Sequence, residues 1–500
     1  MSERWSDVLA GRPDLFQTNS IIGLFRLAAE QKPGCTAAAD EQSRLTYREL
    51  EHRSNQAARA LREAGARPGE IVAVRTGRSV EAVVAFLGIW KIGCAYLFLD
   101  DECPAYRNQE CLLDCQVSIQ VDRDFIRRAV ETQSDAVVEE TGDRDRLAVI
   151  VYTSGSCGKP KGVQLSHANI AASISNFPEI GFTSDDRYCC FANLMFVAAV
   201  YDMAMALSIG AALYLIPGRI RRNIREIAAY YREEGITVTF LPPHMAMKYI
   251  SIDQESPLRI LLSGSEPVRN LDRRPYDLIN VYASSEACAL ISYYRVRDKR
   301  KSYPIGRVVS ALRYYIVDEE GEQVAENEPG ELWISGPQVT RGYRNMPELN
   351  RERFCPNPFC GESPYDRVFK TGDMVAAGKD GELIYLGRRD NMVKIRGFRV
   401  ELAGVERCMI QFPGMREVCC VAHRDSGGTN LLFGYYIADR EIDHEKLRVY
   451  LKDYLPYYMI PSALIRCGEF PRTLSGKVNR RAFVPPAELD DHKRIEQLYR

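Results

Sequence analysis

Five hundred residues are more than one hydrophobic core organises, because single cores stop growing at roughly 250–300 residues, so at least two domains are expected. The 66 basic and 67 acidic side chains cancel to a formal charge of −1, which gives no electrostatic case for nucleic acid or an anionic membrane as partner. Apolar residues make up 46%, enough for a large core, yet no run approaches the roughly 18 needed to span a bilayer.

The first residues, MSERWSDVLAGRPD, are charged and lack the apolar stretch of a secretory signal, which predicts a cytoplasmic location. The fifteen cysteines follow no repeating framework and are expected as small buried hydrophobes. Neither Cys111 with Cys115 nor Cys355 with Cys360 has Cys-x-x-Cys spacing, and neither pair lies beside histidines, which argues against zinc.

At residues 45–61 (LTYRELEHRSNQAARAL), Thr46 and Glu49 form a capping box that opens an amphipathic helix. A strand at Ile71–Arg75, a helical stretch at Val80–Ile92 and a strand at Ala95–Leu99 follow. This alternation continues to about residue 300 and predicts α/β layering with mainly parallel sheets. The aliphatic run Leu147–Val151 reads as a buried strand. It breaks into Thr153-Ser154-Gly155-Ser156-Cys157-Gly158-Lys159-Pro160-Lys161-Gly162. Glycines let backbone amides approach an anion, hydroxyls donate hydrogen bonds, and lysines supply countercharge, so the chemical target is a polyphosphate. The spacing is not the Walker pattern, since only two residues separate Gly155 from Gly158 and a proline follows Lys159.

Between about 303 and 387, strand-like runs such as Tyr314–Val317 and Glu331–Ser335 alternate with Gly-, Glu- and Pro-rich turns, predicting a β-rich subdomain. The charged, glycine-bounded stretch 387–397 (GRRDNMVKIRG) reads as a hinge. The last hundred residues return to alternating helix and strand. The expected architecture is a large N-terminal α/β domain at 1–388, a small mobile α+β lid at 389–484, and a tail at 485–500.

The ten-residue loop closely resembles the phosphate loop of adenylate-forming enzymes. Further stretches resemble the adenylation domains of nonribosomal peptide synthetases, relatives of acyl-CoA synthetases and luciferases. They are WKIGCAYLFLDDECP (90–104), GELWISGPQVTRGY (330–343), KTGD (370–373), GRRDNMVKIRGFRVEL (387–402), LPYYMIP (455–461) and LSGKVNR (474–480). The resemblance runs from Leu45 to Lys477 and implies two half-reactions. A carboxylate attacks the α-phosphate of ATP, giving an acyl-adenylate and pyrophosphate, and a thiol then displaces AMP.

On that resemblance Thr153, Ser154, Gly155, Ser156 and Lys161 would engage the phosphates, and Glu286 of YASSE would hold Mg²⁺. A lone carboxylate suits a cation that also takes phosphate oxygens and water. Tyr282 would pack on adenine and Asn280 would bond its edge, while Ser285 stands where the family carries threonine. Ala283 and Ser284 replace the family's Gly-Pro, and Cys157 replaces a threonine of the loop. Asp373 would accept the ribose hydroxyls, with Tyr385 and Arg388 beside the sugar and phosphate. Asp390 matches the residue about which the lid turns. Lys477 would enter on the lid and bridge the substrate carboxylate and the α-phosphate.

The acyl pocket departs from the pattern. Amino-acid-activating relatives carry Phe-Asp-x-Ser, whose aspartate pairs with the substrate's α-ammonium; here NLMFVAAVYDM (193–203) keeps Phe196 but has Val197 and Ala199. The remaining lining would be Ala198, Tyr201, Phe240, Leu261, Ser263, Val281, Ala289 and Leu290. None is anionic, and an unpaired ammonium buried there would cost several kcal/mol. The preferred acid would therefore lack an α-ammonium: an aryl, 2-oxo or 2-hydroxy acid. Tyr201 or Ser263 could bond one polar substituent, and Tyr201 and Phe240 could stack on a ring. Asp202 turning inward, or a β-amino acid or ω-amine held by another carboxylate, stays open.

In the tail, Phe483–Pro486 resembles the family's linker motif, and Asp490–Arg500 has helical spacing with Ile495 and Leu498 on one face. It resembles the approach to a carrier-protein domain, and the acceptor would be the phosphopantetheine thiol of such a carrier. A free-standing activator and a portion of a longer synthetase both fit. A CoA ligase and a catalytically idle scaffold are the alternatives.

Overall fold

The computed structural model describes residues 4–12, 14–140, 143–153, 160–252, 255–325, 327–378, 381–389, 392–395, 397–425, 430–472 and 478–485. The chain divides into two compact units. The first comprises Met1–Asp100, Leu112–Tyr152 and Gly162–Arg389; the second comprises Asp101–Cys111, Thr153–Lys161 and Asp390–Arg500.

Three sheets build the first unit. In the nine-stranded sheet, six parallel strands run in the order Thr36–Ala39, Ala212–Leu215, Arg187–Cys190, Val238–Phe240, Ile260–Gly264 and Asp277–Ser284. Antiparallel strands close both of its edges, Arg44–Thr46 at one and Ala289–Val296 with Arg307–Val308 at the other. A five-stranded sheet carries Ile71–Arg75, Ala95–Phe98 and Leu147–Thr153 in parallel. The antiparallel sheet of Arg313–Val317, Pro329–Ser335, Phe354–Pro356, Arg367–Ala377 and Leu383–Arg388 is the β-rich region.

The helix Tyr47–Glu63 opens on the expected capping box: the Thr46 side chain accepts from the Glu49 amide, and the Glu49 carboxylate accepts from the Thr46 amide. It packs closely on the helix Val80–Lys91, where a Cβ at Gly88 would lie 3.0 Å from the Ala57 Cβ and 3.2 Å from the Ala58 nitrogen. Lys91, fully buried, donates to Glu51 (2.7 Å), Ser54 (2.8 Å) and Asn55 (2.8 Å). Burial pulls its pKa down to about 8. The lysine of the WKIGCAY stretch thus ties two helices together.

The second unit has a hairpin, Met392–Ile395 with Phe398–Glu401, and a three-stranded sheet of Met415–Arg424, Asn430–Ala438 and Ala463–Arg466. The helices Leu402–Ile410 and His444–Tyr454 accompany them. Asp443 caps the second of these, accepting from the Glu445 and Lys446 amides, and a core of Phe433, Tyr435, Phe470 and Phe483 packs beside the sheet. Among the described residues, no helix is long and apolar enough to cross a membrane.

Candidate active site

Tyr282, Asp373 and Arg388 come together through strand register. Asp373 and Arg388 are direct partners in the antiparallel pairing of Arg367–Ala377 with Leu383–Arg388, so their side chains meet across the ladder. Arg388 Nη1 donates to Asp373 Oδ1 at 2.8 Å, and the Tyr282 hydroxyl donates to Oδ2 at 2.5 Å. Burial and the neighbouring Asp373 carboxylate raise the Tyr282 phenol well above its usual range. The irregular step in the strand beside them is held by Glu331, which accepts from the Gly372 amide at 2.9 Å, and Gly372 has φ +75°, a conformation glycine allows. Tyr385 lies opposite Val375 on the same ladder, and Asn280 donates to the Pro304 carbonyl at 2.6 Å.

Glu286 sits in the 3₁₀ turn Ser285–Ala287, which Ser284 caps by accepting from the Ala287 amide at 3.2 Å. It is 1% exposed, and its Oε1 accepts from the Tyr343 hydroxyl at 2.9 Å. Immediately after it, Cys288 (φ +50°) and Ala289 (φ +79°) occupy the left-handed region, a strained conformation for residues other than glycine. Neighbouring side chains hold this turn. Gln338 Nε2 donates to the Ala287 carbonyl at 3.2 Å and the Leu290 carbonyl at 2.9 Å, Ser173 donates to the Cys288 carbonyl, and the Thr340 amide donates to the Glu286 carbonyl at 3.0 Å. Gln338, Thr340 and Tyr343 all fall within GELWISGPQVTRGY, which marked the region without revealing what the three residues do.

The donor chemistry fits Mg²⁺: one buried carboxylate beside Ser284 and Ser285, in a chain whose described residues hold no cluster of three or more His, Cys, Asp or Glu. Such a site leaves the remaining positions to phosphate oxygens and water.

Of the phosphate loop, Thr153 is buried, and its Oγ1 has no hydrogen-bond partner among the described residues. Lys161 is 5% exposed, with Nζ 3.6 Å from Glu401, which Arg399 also approaches at 3.5 Å. Ser154, Gly155, Ser156, Asp390, Lys477 and the tail 486–500 lie outside the described residues.

Seven of the ten expected acyl-pocket residues are buried, and Phe196, Ala198 and Phe240 are half-buried. The helix Val197–Ile209 follows Phe196, with Val197 and Tyr201 on one face and Ala198 partly exposed. Tyr201 Oη and Ser263 Oγ are buried without a hydrogen-bond partner among the described residues. Strand register sets Ser263 beside Asn280 and Gly264 beside Val281, so Ser263 and Val281 alternate across the sheet. A Cβ at Gly264 would fall 2.0 Å from the Val281 carbonyl oxygen, which makes glycine obligatory there. Leu261 joins a core that includes Tyr231 and Tyr249; Ala289 and Leu290 are buried, and Phe240 is half-buried. Asp202, the carboxylate nearest these residues in the sequence, is buried and accepts from the Tyr188 hydroxyl at 2.8 Å. Burial raises its pKa to about 7.

A model of the AMP-binding enzyme family matches residues 25–344. Tyrocidine synthase 2 of Brevibacillus parabrevis is 35% identical across 96% of this chain, which covers 14% of that protein. Tyrocidine synthase 1 of the same organism is 34% identical across 94% of the chain, covering 45% of that protein. An artificially fused adenylation–PCP di-domain, NpsA-ThdA from Klebsiella oxytoca, superposes with a TM-score of 0.80, covering 90% of this chain and 94% of that one. At 23% identity that likeness is one of fold. The chain belongs to the AMP-binding enzyme family. Its relatives are nonribosomal peptide synthetase adenylation domains, whose reaction class is ATP-dependent adenylate formation. The chain spans less than half the length of these two tyrocidine synthases.

Proposed function

We propose that this chain adenylates a carboxylic acid lacking an α-ammonium (an aryl, 2-oxo or 2-hydroxy acid) and passes the acyl group to the phosphopantetheine thiol of a carrier protein. The observation that carries the substrate reading is the absence of a fixed negative charge among the pocket residues. Val197 stands where amino-acid-activating relatives keep aspartate. Asp202 is tied to Tyr188 and, with a pKa of about 7, offers no constant anion. An ammonium without a partner would be rejected there by several kcal/mol.

In the first half-reaction the substrate carboxylate attacks the α-phosphorus in line, and the bond to the bridging oxygen breaks to release pyrophosphate. Glu286 would hold Mg²⁺, which when bound neutralises phosphate charge. The loop from Thr153 to Lys161 is assigned to the phosphates and Lys477 to the carboxylate and α-phosphate, both by motif. Asp373 can exchange its bond from Tyr282 for ribose hydroxyls while Arg388 stays hydrogen-bonded to its other oxygen. In the second half-reaction a thiolate attacks the acyl carbon, and AMP leaves. Catalysis in this scheme comes from positioning and charge stabilisation.

The test is ATP–pyrophosphate exchange on amino, oxo and hydroxy versions of one carbon skeleton. The amino acid is expected to be the poorest of the three; if it exchanges fastest, the substrate reading falls. Lys477→Ala is expected to lose adenylate formation and keep thioester transfer from a preformed adenylate, and equal loss of both steps would remove its assigned role.

A further inference from the structure

Arg107, the third residue of the helix Ala105–Cys115, has no place in the chemistry above, yet its side chain is unusual for a cation. It is only 5% exposed, and its Nε and Nη2 are buried without a hydrogen-bond acceptor among the described residues. The ionisable groups acting on it are Tyr458, Cys103, Cys111 and Glu110. Burial holds the Tyr458 phenol at about 12, so it is uncharged at neutral pH. The Glu110 carboxylate accepts from the Tyr106 hydroxyl at 2.9 Å.

Two other arginines of the same unit are supplied with acceptors, and a third, Arg399, whose Nε also lacks one among the described residues, has Glu401 3.5 Å from its Nη2. Arg448 donates to the carbonyls of Pro461 and Ser462 at 3.1 Å each. Arg480 donates to the Glu406 carboxylate and to the Cys420 carbonyl. A guanidinium cannot shed its charge on burial, and a buried charge without a counterpart is strongly destabilising. An arginine acting only as a structural strut would be expected to have acceptors of the kind Arg448 and Arg480 have.

The geometry of the two orphaned nitrogens selects the kind of acceptor they can bond. Nε and Nη2 form the side-on edge of the guanidinium, two parallel N–H groups that match two oxygens of one tetrahedral or planar oxyanion. The ring of Tyr458 stacks on Phe398 with centroids 4.3 Å apart and planes 7° apart, a flat apolar surface that lowers the local dielectric and strengthens such a pair.

We propose that Arg107 anchors a phosphate-binding site in the second unit, distinct from the loop at Thr153–Lys161. The choice of phosphate among oxyanions rests on the adenylating reading, whereas the orphaned guanidinium does not. Two sources supply this chemistry: the polyphosphate of the nucleotide, and the phosphodiester of a phosphopantetheine arm.

The experiment uses the full chain and follows thermal unfolding at constant ionic strength with inorganic pyrophosphate, 4′-phosphopantetheine or pantetheine. It compares wild type with Arg107→Met and Arg107→Lys. Ligand-free Arg107→Met is expected to melt higher than wild type, because a buried guanidinium with no acceptor at Nε and Nη2 among the described residues is gone. At least one phosphorylated ligand is expected to raise the wild-type midpoint by several degrees, and Arg107→Met is expected to lose that rise. A rise with phosphopantetheine and none with pantetheine assigns the acceptor arm; loss of the pyrophosphate rise alone assigns the nucleotide. Arg107→Lys keeps the charge without the fork and is expected to retain less than half of the rise, which serves if the methionine variant fails to fold. Undiminished rises in both variants, or a methionine variant that melts lower and binds as wild type, would overturn the site. Exchange with an acid panel is measured separately, so loss of the adenylating reading would be seen on its own.

Discussion

Where the end of the strand Asp277–Ser284 meets the middle of Arg367–Ala377, polar side chains satisfy one another: Tyr282 and Arg388 both donate to Asp373, and Tyr343 donates to Glu286, which follows Ser284 closely in sequence. Along the helix Val197–Ile209 and the strand Ile260–Gly264 most side chains are apolar, and two hydroxyls, Tyr201 Oη and Ser263 Oγ, are left without partners among the described residues. A ligand entering the first region exchanges existing bonds for its own, which favours groups that bond at least as well, such as ribose hydroxyls. A ligand entering the second gains by supplying what the hydroxyls lack and loses if it brings a charge. On the function proposed above, the first region would govern whether chemistry occurs and the second on which acid.

The comparison breaks most readily at Glu286. Glu286→Gln keeps an oxygen for the Tyr343 hydroxyl, so the fold should survive while the charge is lost. Exchange should fall by about 10²–10³-fold, the scale for removing one electrostatic stabiliser of a transition state. The Mg²⁺ dependence of exchange should also move to higher metal concentration. A fall below tenfold would take the metal away from this residue.

Val197→Asp tests the apolar side. The variant should shift the ratio of amino to hydroxy acid exchange toward the amino acid by roughly tenfold or more, the worth of one paired charge in a partly dry site. An unchanged ratio would mean that residue 197 does not face the substrate.

Gln338→Leu is expected to act more gently. It leaves the Ala287 and Leu290 carbonyls and the Asn176 amide short of a partner, about 1–3 kcal/mol for each group that stays buried and unsatisfied. Because Cys288 and Ala289 are held in strained backbone, the loss should loosen Glu286 and lower kcat for exchange about tenfold. The ATP KM should change less, which separates positioning from binding. A variant with a lowered Tm and wild-type kcat would make Gln338 a purely structural residue.

Much of the fold was legible because its signals are local. The Thr46–Glu49 box opens its helix as read, and the strands Ile71–Arg75 and Arg313–Val317 fall within a residue of their aliphatic runs. The helix Val80–Lys91 and the strand Ala95–Phe98 each end one residue short of the sequence reading. What could not be read was long-range. That Gln338 would reach the turn after Glu286, that Tyr343 would hold its carboxylate, and that Cys288 and Ala289 would adopt positive φ all depend on which strands meet. The inclusion of Asp101–Cys111 and Thr153–Lys161 in the same compact unit as Asp390–Arg500 is likewise a matter of tertiary packing, invisible to spacing.

The smallest expected effect concerns Asp202, and it decides whether the apolar region holds a hidden counter-ion. Its carboxyl, ordinarily near 3.8, is raised to about 7 by burial, against the opposing bond from Tyr188. Below pH 4 the carboxyl is protonated in both folded and unfolded chains. Between pH 4 and 7 the unfolded chain releases the proton and the folded chain retains it, so stability falls as pH rises, and the loss is complete above 7. Asp202→Asn keeps an acceptor for Tyr188 and has no proton to lose. Its Tm should match wild type near pH 4 and exceed it by a few degrees at pH 8, with acid selectivity unchanged. If the variant instead loses an amino-acid activity present in wild type, Asp202 is the ammonium's partner, and the helix Val197–Ile209 belongs with the polar region in how it greets its ligand.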